Sequence, residues 1–271
     1  GNSNSTLGRI GLGYLYTDFK PQVSWTLPGM GGFGAKIALF DPDDIIADTA
    51  AVSATDNSSP RVEAQITWNG DFFQTGLGVN LWVDGTYQST ERSTAQQGAA
   101  DNAAVNATAS TRTAAMTTGS LDDRDSVESA GVGFGTKLSY DAFSLVATGF
   151  YGHGLGIRGQ RALGTATSTG ALDDFGKERK TYGSYIQGTF DFGQGTSVGY
   201  SYGGNYMKKN GRDLNTTGTM NSQTMHSGMV WHNVTDNFRL VAEGGFTEKT
   251  WYLAHTDQED AFGGVGAFFF W

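Results

Sequence analysis

The sequence predicts an all-β chain that closes into a transmembrane antiparallel β-barrel. Three observations predict it. Apolar residues recur with a period of two over segments of roughly ten residues, the length of a tilted membrane strand. The opposite face of each segment is rich in glycine and amides and poor in charge. The connections between segments alternate between tight turns and long polar stretches.

The composition is consistent with this and removes other classes. Glycine is 40 of 271 residues and aromatics are 13%. Charged residues are only 17%, against about 25% in a soluble domain. A net charge of −9 argues against a nucleic-acid partner, which needs a basic face. The absence of cysteine removes disulfides, thiolate metal centres and thiol catalysis together. No uncharged apolar run approaches the roughly 18 residues of a membrane helix. One domain spanning 1–271 accounts for the whole pattern, since barrels of this length fold as a unit. The chain opens without a basic-plus-apolar leader, which implies a mature or truncated start.

Taken in order, about twelve strand segments are expected: Leu7–Thr17, Gln22–Leu27, Phe33–Phe40, Arg61–Trp68, Phe72–Asp84, Ser129–Tyr140, Phe143–Gly152, Thr181–Phe192, Thr196–Met207, Gln223–Asn233, Phe238–Thr247 and Phe262–Trp271. Phe33, Ala35, Ile37 and Leu39 oppose Gly34, Lys36 and Ala38. Ala130, Val132, Phe134, Thr136, Leu138 and Tyr140 oppose Gly131, Gly133, Gly135 and Lys137. Asn69-Gly70-Asp71, Tyr140-Asp141-Ala142, Phe192–Gly195 and Val234–Asn237 read as tight turns. Between them lie loops 41–60, 85–128, 153–180, 208–222 and 248–261, of which 85–128 is low in complexity. Short turns on one side and long loops on the other is the outer-membrane arrangement, with periplasmic turns and extracellular loops. A soluble sandwich has no reason to sort its loops in this way.

Parity then assigns the charges. Arg9, Lys36, Arg61, Lys137 and Arg239 point inward, as do Glu63, Asp84, Asp191 and Glu243. Opposed across a bore, they would set up a transverse field that orders polar solutes. Paired with one another or with a folded-in loop, they would only stiffen the wall. Aromatics such as Trp68 with Phe73 and Tyr140 with Phe143 flank short turns, where an interfacial belt belongs.

Other motifs carry less. Gly154-Leu155-Gly156-Ile157-Arg158-Gly159 spells a dinucleotide fingerprint, but no helix pattern follows it. The four histidines lack metal-binding spacing, so no metal site is expected; His226-Ser227 is the only adjacent histidine–serine pair. Asp41-Pro42-Asp43-Asp44 and Asp122-Asp123-Arg124-Asp125 could take Ca²⁺ on loops without an EF-hand spacing. No cofactor and no enzymatic activity are expected.

The chain ends Gly266-Ala267-Phe268-Phe269-Phe270-Trp271. A last strand closing on an aromatic, with Phe269 and Trp271 as the signal, resembles the terminus that the barrel-assembly machinery recognises in outer-membrane proteins. That resemblance implies a Gram-negative outer membrane and a native terminus at Trp271. Gly8–Tyr14, then Pro21–Phe33 ending in Gly31-Gly32-Phe33, is similar to general bacterial porins, as is Leu138–Leu145 with Gly149-Phe150-Tyr151-Gly152. These matches cover about a third of the chain. Barrels of that family carry about sixteen strands, which implies missing N-terminal strands here, a genuine twelve-stranded barrel being the alternative. The resemblance implies a homotrimeric, water-filled channel for passive diffusion of small hydrophilic solutes, set in lipid and lipopolysaccharide. An autotransporter-type translocator and a barrel hydrolase are the rival readings.

Overall fold

The structure, a computed structural model, describes residues 12–15, 20–45, 53–93, 126–157, 170–173, 176–210, 219–252 and 257–271. Eleven strands form one sheet in which each pairs antiparallel with its sequence neighbours. They are β1 (Gln22–Thr26), β2 (Phe33–Phe40), β3 (Arg61–Asp71), β4 (Gly78–Glu91), β5 (Ser126–Tyr140), β6 (Phe143–His153), β7 (Lys180–Asp191), β8 (Thr196–Lys208), β9 (Met220–Thr235), β10 (Phe238–Trp251) and β11 (Gln258–Phe269). The sheet is open: β1 and β11 occupy its two edges, and no ladder joins them among the described residues.

Register makes the two faces continuous. Leu81 pairs with Thr136, Thr136 with Ala147, Ala147 with Ile186 and Ile186 with Tyr202. All five stand on the outer face, where apolar side chains are freely exposed: Ile66 at 60%, Phe134 at 58% and Val265 at 85%. Exposed oil over a whole sheet face is untenable in water and expected in lipid. Aromatics bracket this band. Phe143 and Phe190 pair near the short turns, and eight residues further along their strands Tyr151 pairs with Tyr182. At about 3.3 Å per residue and a tilt of about 40°, that separates the rings by roughly 20 Å along the membrane normal. The apolar band of outer-membrane barrels is of similar height, about 25 Å.

The turns sort as expected. The connections β1–β2, β3–β4, β5–β6, β7–β8 and β9–β10, none longer than six residues, fall on one side. The longer β2–β3, β4–β5, β6–β7 and β8–β9 connections fall on the other, together with β10–β11, where the expected loop 248–261 shrinks to six residues because both strands extend into it. Asp141, at φ 50°, opens the two-residue β5–β6 turn. The β9–β10 turn is tied to the chain end: Asn237 Nδ2 donates to the Phe270 carbonyl at 2.7 Å, and the Phe270 N–H donates back to the Asn237 carbonyl at 3.0 Å.

Several expected boundaries move. The segment Leu7–Thr17 is not a strand where it is described; Leu12–Leu15 lies outside every ladder. The turn expected at Asn69-Gly70-Asp71 is strand, because β3 continues through Asp71. The reversal falls instead on Phe72–Leu77, where Phe73 and Gln74 adopt φ of 51° and 60°. Left-handed backbone at two non-glycine residues gives no sequence signal, so the alternation of Phe73, Thr75 and Leu77 reads falsely as strand. At the other ends the strands outrun the apolar band. β4 reaches Glu91, β5 begins at Ser126, β9 begins at Met220 and β10 ends at Trp251. The ladder there continues above the lipid through polar residues that carry no alternating pattern.

The long loops are also not wholly solvated. Ile45 and Ala54 from the β2–β3 loop pack with Ala171 and Leu172 from the β6–β7 loop and Val127 of β5, all fully buried. Ile157 packs with Met207, Met220 and Trp251. The glycine-rich segment Gly154–Ile157 thus places Leu155 and Ile157 in apolar packing, both fully buried, and does not cradle a phosphate. The remainder of that motif, Arg158 and Gly159, lies outside the described residues, as do most of loop 85–128 and Asp122–Asp125.

The membrane-facing role of the outer face is checked by a charge scan. Ile186→Lys should cost about 2–4 kcal/mol of folding free energy in bilayers. Thr189→Lys, on the opposite face of the same strand, should cost less than a quarter of that. Urea titration of vesicle-folded protein, read by gel mobility, measures both.

Candidate channel lining

The inner face is built from large side chains seated on small ones. Trp82 of β4 lies over Gly135 of β5, so that a Cβ there would overlap the indole. A Cβ at Gly183 would lie 2.6 Å from Phe150 Cε1, one at Gly203 2.9 Å from Tyr185 Cδ2, and one at Gly245 2.9 Å from Phe262 Cζ. Trp231 approaches Gly199 in the same way, with Cζ3 at 3.2 Å. The glycine stripe is therefore floor space for the rings of neighbouring strands, in addition to making the wall supple.

Across this floor runs Leu12–Leu15. The Gly13 N–H donates to Oδ1 of Asn205 at 2.7 Å, a buried bond. Tyr14 meets Tyr185 edge to face with ring centroids 5.9 Å apart. Leu15 reaches to within 3.1 Å of where a Gly131 side chain would begin. Gly203 must lack a side chain, because the Leu12 carbonyl occupies that space, and Gly13 sits at φ +99° against the β7 backbone. A segment of chain thus crosses the inner face of β5, β7 and β8 and narrows whatever space that face encloses.

A second inward assembly lies where β2–β4 meet the long loops. Asp43, nearly buried, accepts ion pairs from Lys20 and Arg61. Arg61 also lies 3.1 Å from Glu63 through Nε and stacks its guanidinium 4.7 Å above the Phe40 ring. Gln88 brackets the Asp43 backbone, accepting from its N–H at 3.0 Å and donating to its carbonyl. Thr90 bridges from Gln88 to Asn57, and Asn57 donates to Asp44 at 2.7 Å. The Asp41–Asp44 run proposed for Ca²⁺ is therefore differently employed: Asp43 neutralises two cations and Asp44 anchors Asn57.

The expected lining residues distribute as follows. Arg9 lies outside the described residues. Lys36 and Lys137 stand exposed on the inner face. Glu63, Asp84 and Glu243 stand half-buried there, Asp84 across from Gly133. Arg61 is on the inner face but only 2% exposed, sealed into the Asp43 assembly. Asp191 caps the β7–β8 turn by accepting from the Gly193 N–H at 2.8 Å. Arg239 sits near the short-turn end of β10, bonded to Asn233 at 2.6 Å and lying over Phe270. Sequence reading named Asp43 only as a calcium candidate and missed Lys20, Gln88, Asn205 and Trp82; the inward parity of Asn205 and Trp82 was available as a signal, whereas Gln88 fell in the expected loop 85–128. His226 and Ser227 fall on opposite faces. His226 shares a 2.6 Å hydrogen bond with the Tyr200 hydroxyl on the outer face, while Ser227 is buried on the inner one. They cannot act as a base–nucleophile pair.

Removing the shared carboxylate tests the assembly. Asp43→Ala strands two cations and should cost about 3–5 kcal/mol in urea unfolding. Adding Arg61→Met should recover a substantial part of that loss.

No family model and no curated protein sequence matches the chain. Solved structures do. The anion-selective porin of Comamonas acidovorans aligns at a TM-score of 0.50 and 12% identity, over 91% of this chain and 55% of that one. A loop L8 deletion mutant of OmpT, an outer membrane protein of Vibrio cholerae, aligns at 0.49 and 14%, over 92% and 62%. A porin refined at 1.8 Å resolution aligns at 0.48 and 12%, over 96% and 71%. The chain thus spans little more than half the length of the Comamonas protein. At these identities the likeness is one of architecture, and by architecture the chain is an all-antiparallel wall of the outer-membrane porin type.

Proposed function

We propose that the chain forms the wall of an outer-membrane channel through which small hydrophilic solutes and ions diffuse passively, without covalent chemistry. The observation that carries this reading is the opposition of faces: an exposed apolar face of membrane height, backed by an inner face of glycine, amide and charge. Leu12–Leu15 is the constriction, held by Asn205 and Tyr185. Among the described residues, Lys36 and Lys137 are the freely exposed cations of the inner face, whereas its carboxylates are half-buried or engaged, so the channel prefers anions. The open edges of β1 and β11 need partners in hydrocarbon, where an unpaired ladder is unaffordable.

In the same reading the barrel assembles as a homotrimer among lipopolysaccharide. Gly228, Gly244 and Gly263, paired in register on the outer face, leave a flat strip for a second copy. Phe269, stacked on Phe238 at 4.7 Å, and the exposed Trp271 serve as the assembly signal.

Planar-bilayer recording tests the proposal. Wild-type protein should give discrete conductance steps with a reversal potential on the anion side. Lys36→Glu and Lys137→Glu should each move it toward cations, and Arg239→Glu by less, because that residue sits near the rim. Asn205→Ala should raise the unitary conductance by loosening the constriction. Silent membranes would defeat the reading.

A further inference from the structure

The ring-on-glycine pairs differ in what surrounds them. Phe150 is buried at 3%, and Tyr185 is covered by Tyr14. Trp82 is half-buried on the inner face, with its indole resting on Gly135. Its neighbours on that face are hydrogen-bonding side chains. Thr67 is its register partner on β3, and Gln65 is the partner of Asp84. Asn80 and Asp84 flank Trp82 on β4 itself, and Lys137 follows Gly135 on β5.

An aromatic ring fixed against a wall and rimmed by amides, a hydroxyl and a carboxylate has a specific complement. The ring accepts an apolar C–H face, and the rim supplies donors and acceptors together in the ligand plane. A pyranose presents both: C–H groups on its face and hydroxyls, each donor and acceptor, around its edge. An aromatic carboxylate would satisfy the ring and one cation, Lys137, but it carries no hydroxyl donors for Gln65, Asn80 and Asp84, whose carboxylate would repel it.

We propose that Trp82, seated on Gly135, is a stacking site for a small sugar within the lining. Gln65, Asn80 and Asp84 bind the sugar's hydroxyls. The site makes the channel selective in transit without closing it to ions. The inference rests on the channel reading and adds a substrate class to it.

The test is titration of maltose against the ion current of the wild-type protein in planar bilayers, with sodium benzoate as the competing probe. Maltose should reduce the current saturably, and benzoate should not. Trp82→Ala should raise the half-blocking maltose concentration about tenfold, and Trp82→Phe by less. Gly135→Val, which leaves the indole no floor, should weaken block as Trp82→Ala does. Correct folding of each variant is read from heat-modifiable gel mobility. A current that falls only in proportion to solution viscosity overturns the site, as does saturable block equal in wild type and both Trp82 variants. Block by benzoate and not by maltose overturns the sugar assignment. A membrane without basal conductance overturns the channel reading. The site is then decided by maltose-dependent tryptophan fluorescence in micelles, which should saturate in wild type and be lost in Trp82→Ala; an unchanged titration overturns it.

Discussion

The structure depends on an unbroken antiparallel ladder. From β2 through β10 each strand finds its backbone partners on both sides, so no main-chain donor or acceptor in the interior of the wall needs water. In hydrocarbon that condition is absolute, because each unsatisfied group costs several kcal/mol. It also fixes chemistry. A slip of one residue in any pairing would turn Ile66 or Phe134 inward and Gln65 or Gly133 into lipid. The two faces can specialise only because the register is strict.

Given that constraint, the inner face faces a packing problem of its own. A polar lining made of long side chains on every strand would fill the space it encloses. The chain instead alternates large and absent side chains across the hydrogen-bonded lines, Trp82 with Gly135, Asp84 with Gly133, and Tyr185 with Gly203. Rings lie over backbone and hold their positions by contact with it. The same glycines let Leu12–Leu15 come within hydrogen-bonding reach of Asn205. Glycine is abundant here for two separable reasons, flexibility of the strand and clearance above it.

The long-loop side is organised by burial of a different kind. Asp43 places one carboxylate between two cations in a nearly dry setting, with Gln88 and Thr90 satisfying the loop backbone. A buried pair of this sort is poor evidence of net stability, since desolvation offsets most of the attraction. Its effect is positional. Lys20, which follows the segment crossing the inner face, and Arg61, at the start of β3, are tied to the same loop residue. Beside this assembly the small apolar clusters around Ile45 and Leu172 and around Ile157 and Met207 draw the β2–β3 and β6–β7 loops onto the wall.

Period-two alternation and the sorting of turn lengths were enough to read the all-β class, the antiparallel order, the outward face and a core of each of the eleven strands, because each rests on contacts between sequence neighbours in an antiparallel meander. The inward parity of Lys36, Glu63, Asp84 and Lys137 followed from the same count. What the tertiary structure decided was everything that brings distant segments together. Leu12–Leu15 alternates like a strand, yet packs on β7 and β8 because Gly203 leaves room and Asn205 supplies an acceptor, nearly two hundred residues away. Phe72–Leu77 alternates too, but left-handed backbone at Phe73 and Gln74 turns it. Arg61 has the parity of a lining charge, but a loop aspartate reaches over and buries it. Local periodicity reports which face a side chain takes; only the folded neighbours determine whether that face is open, covered or filled.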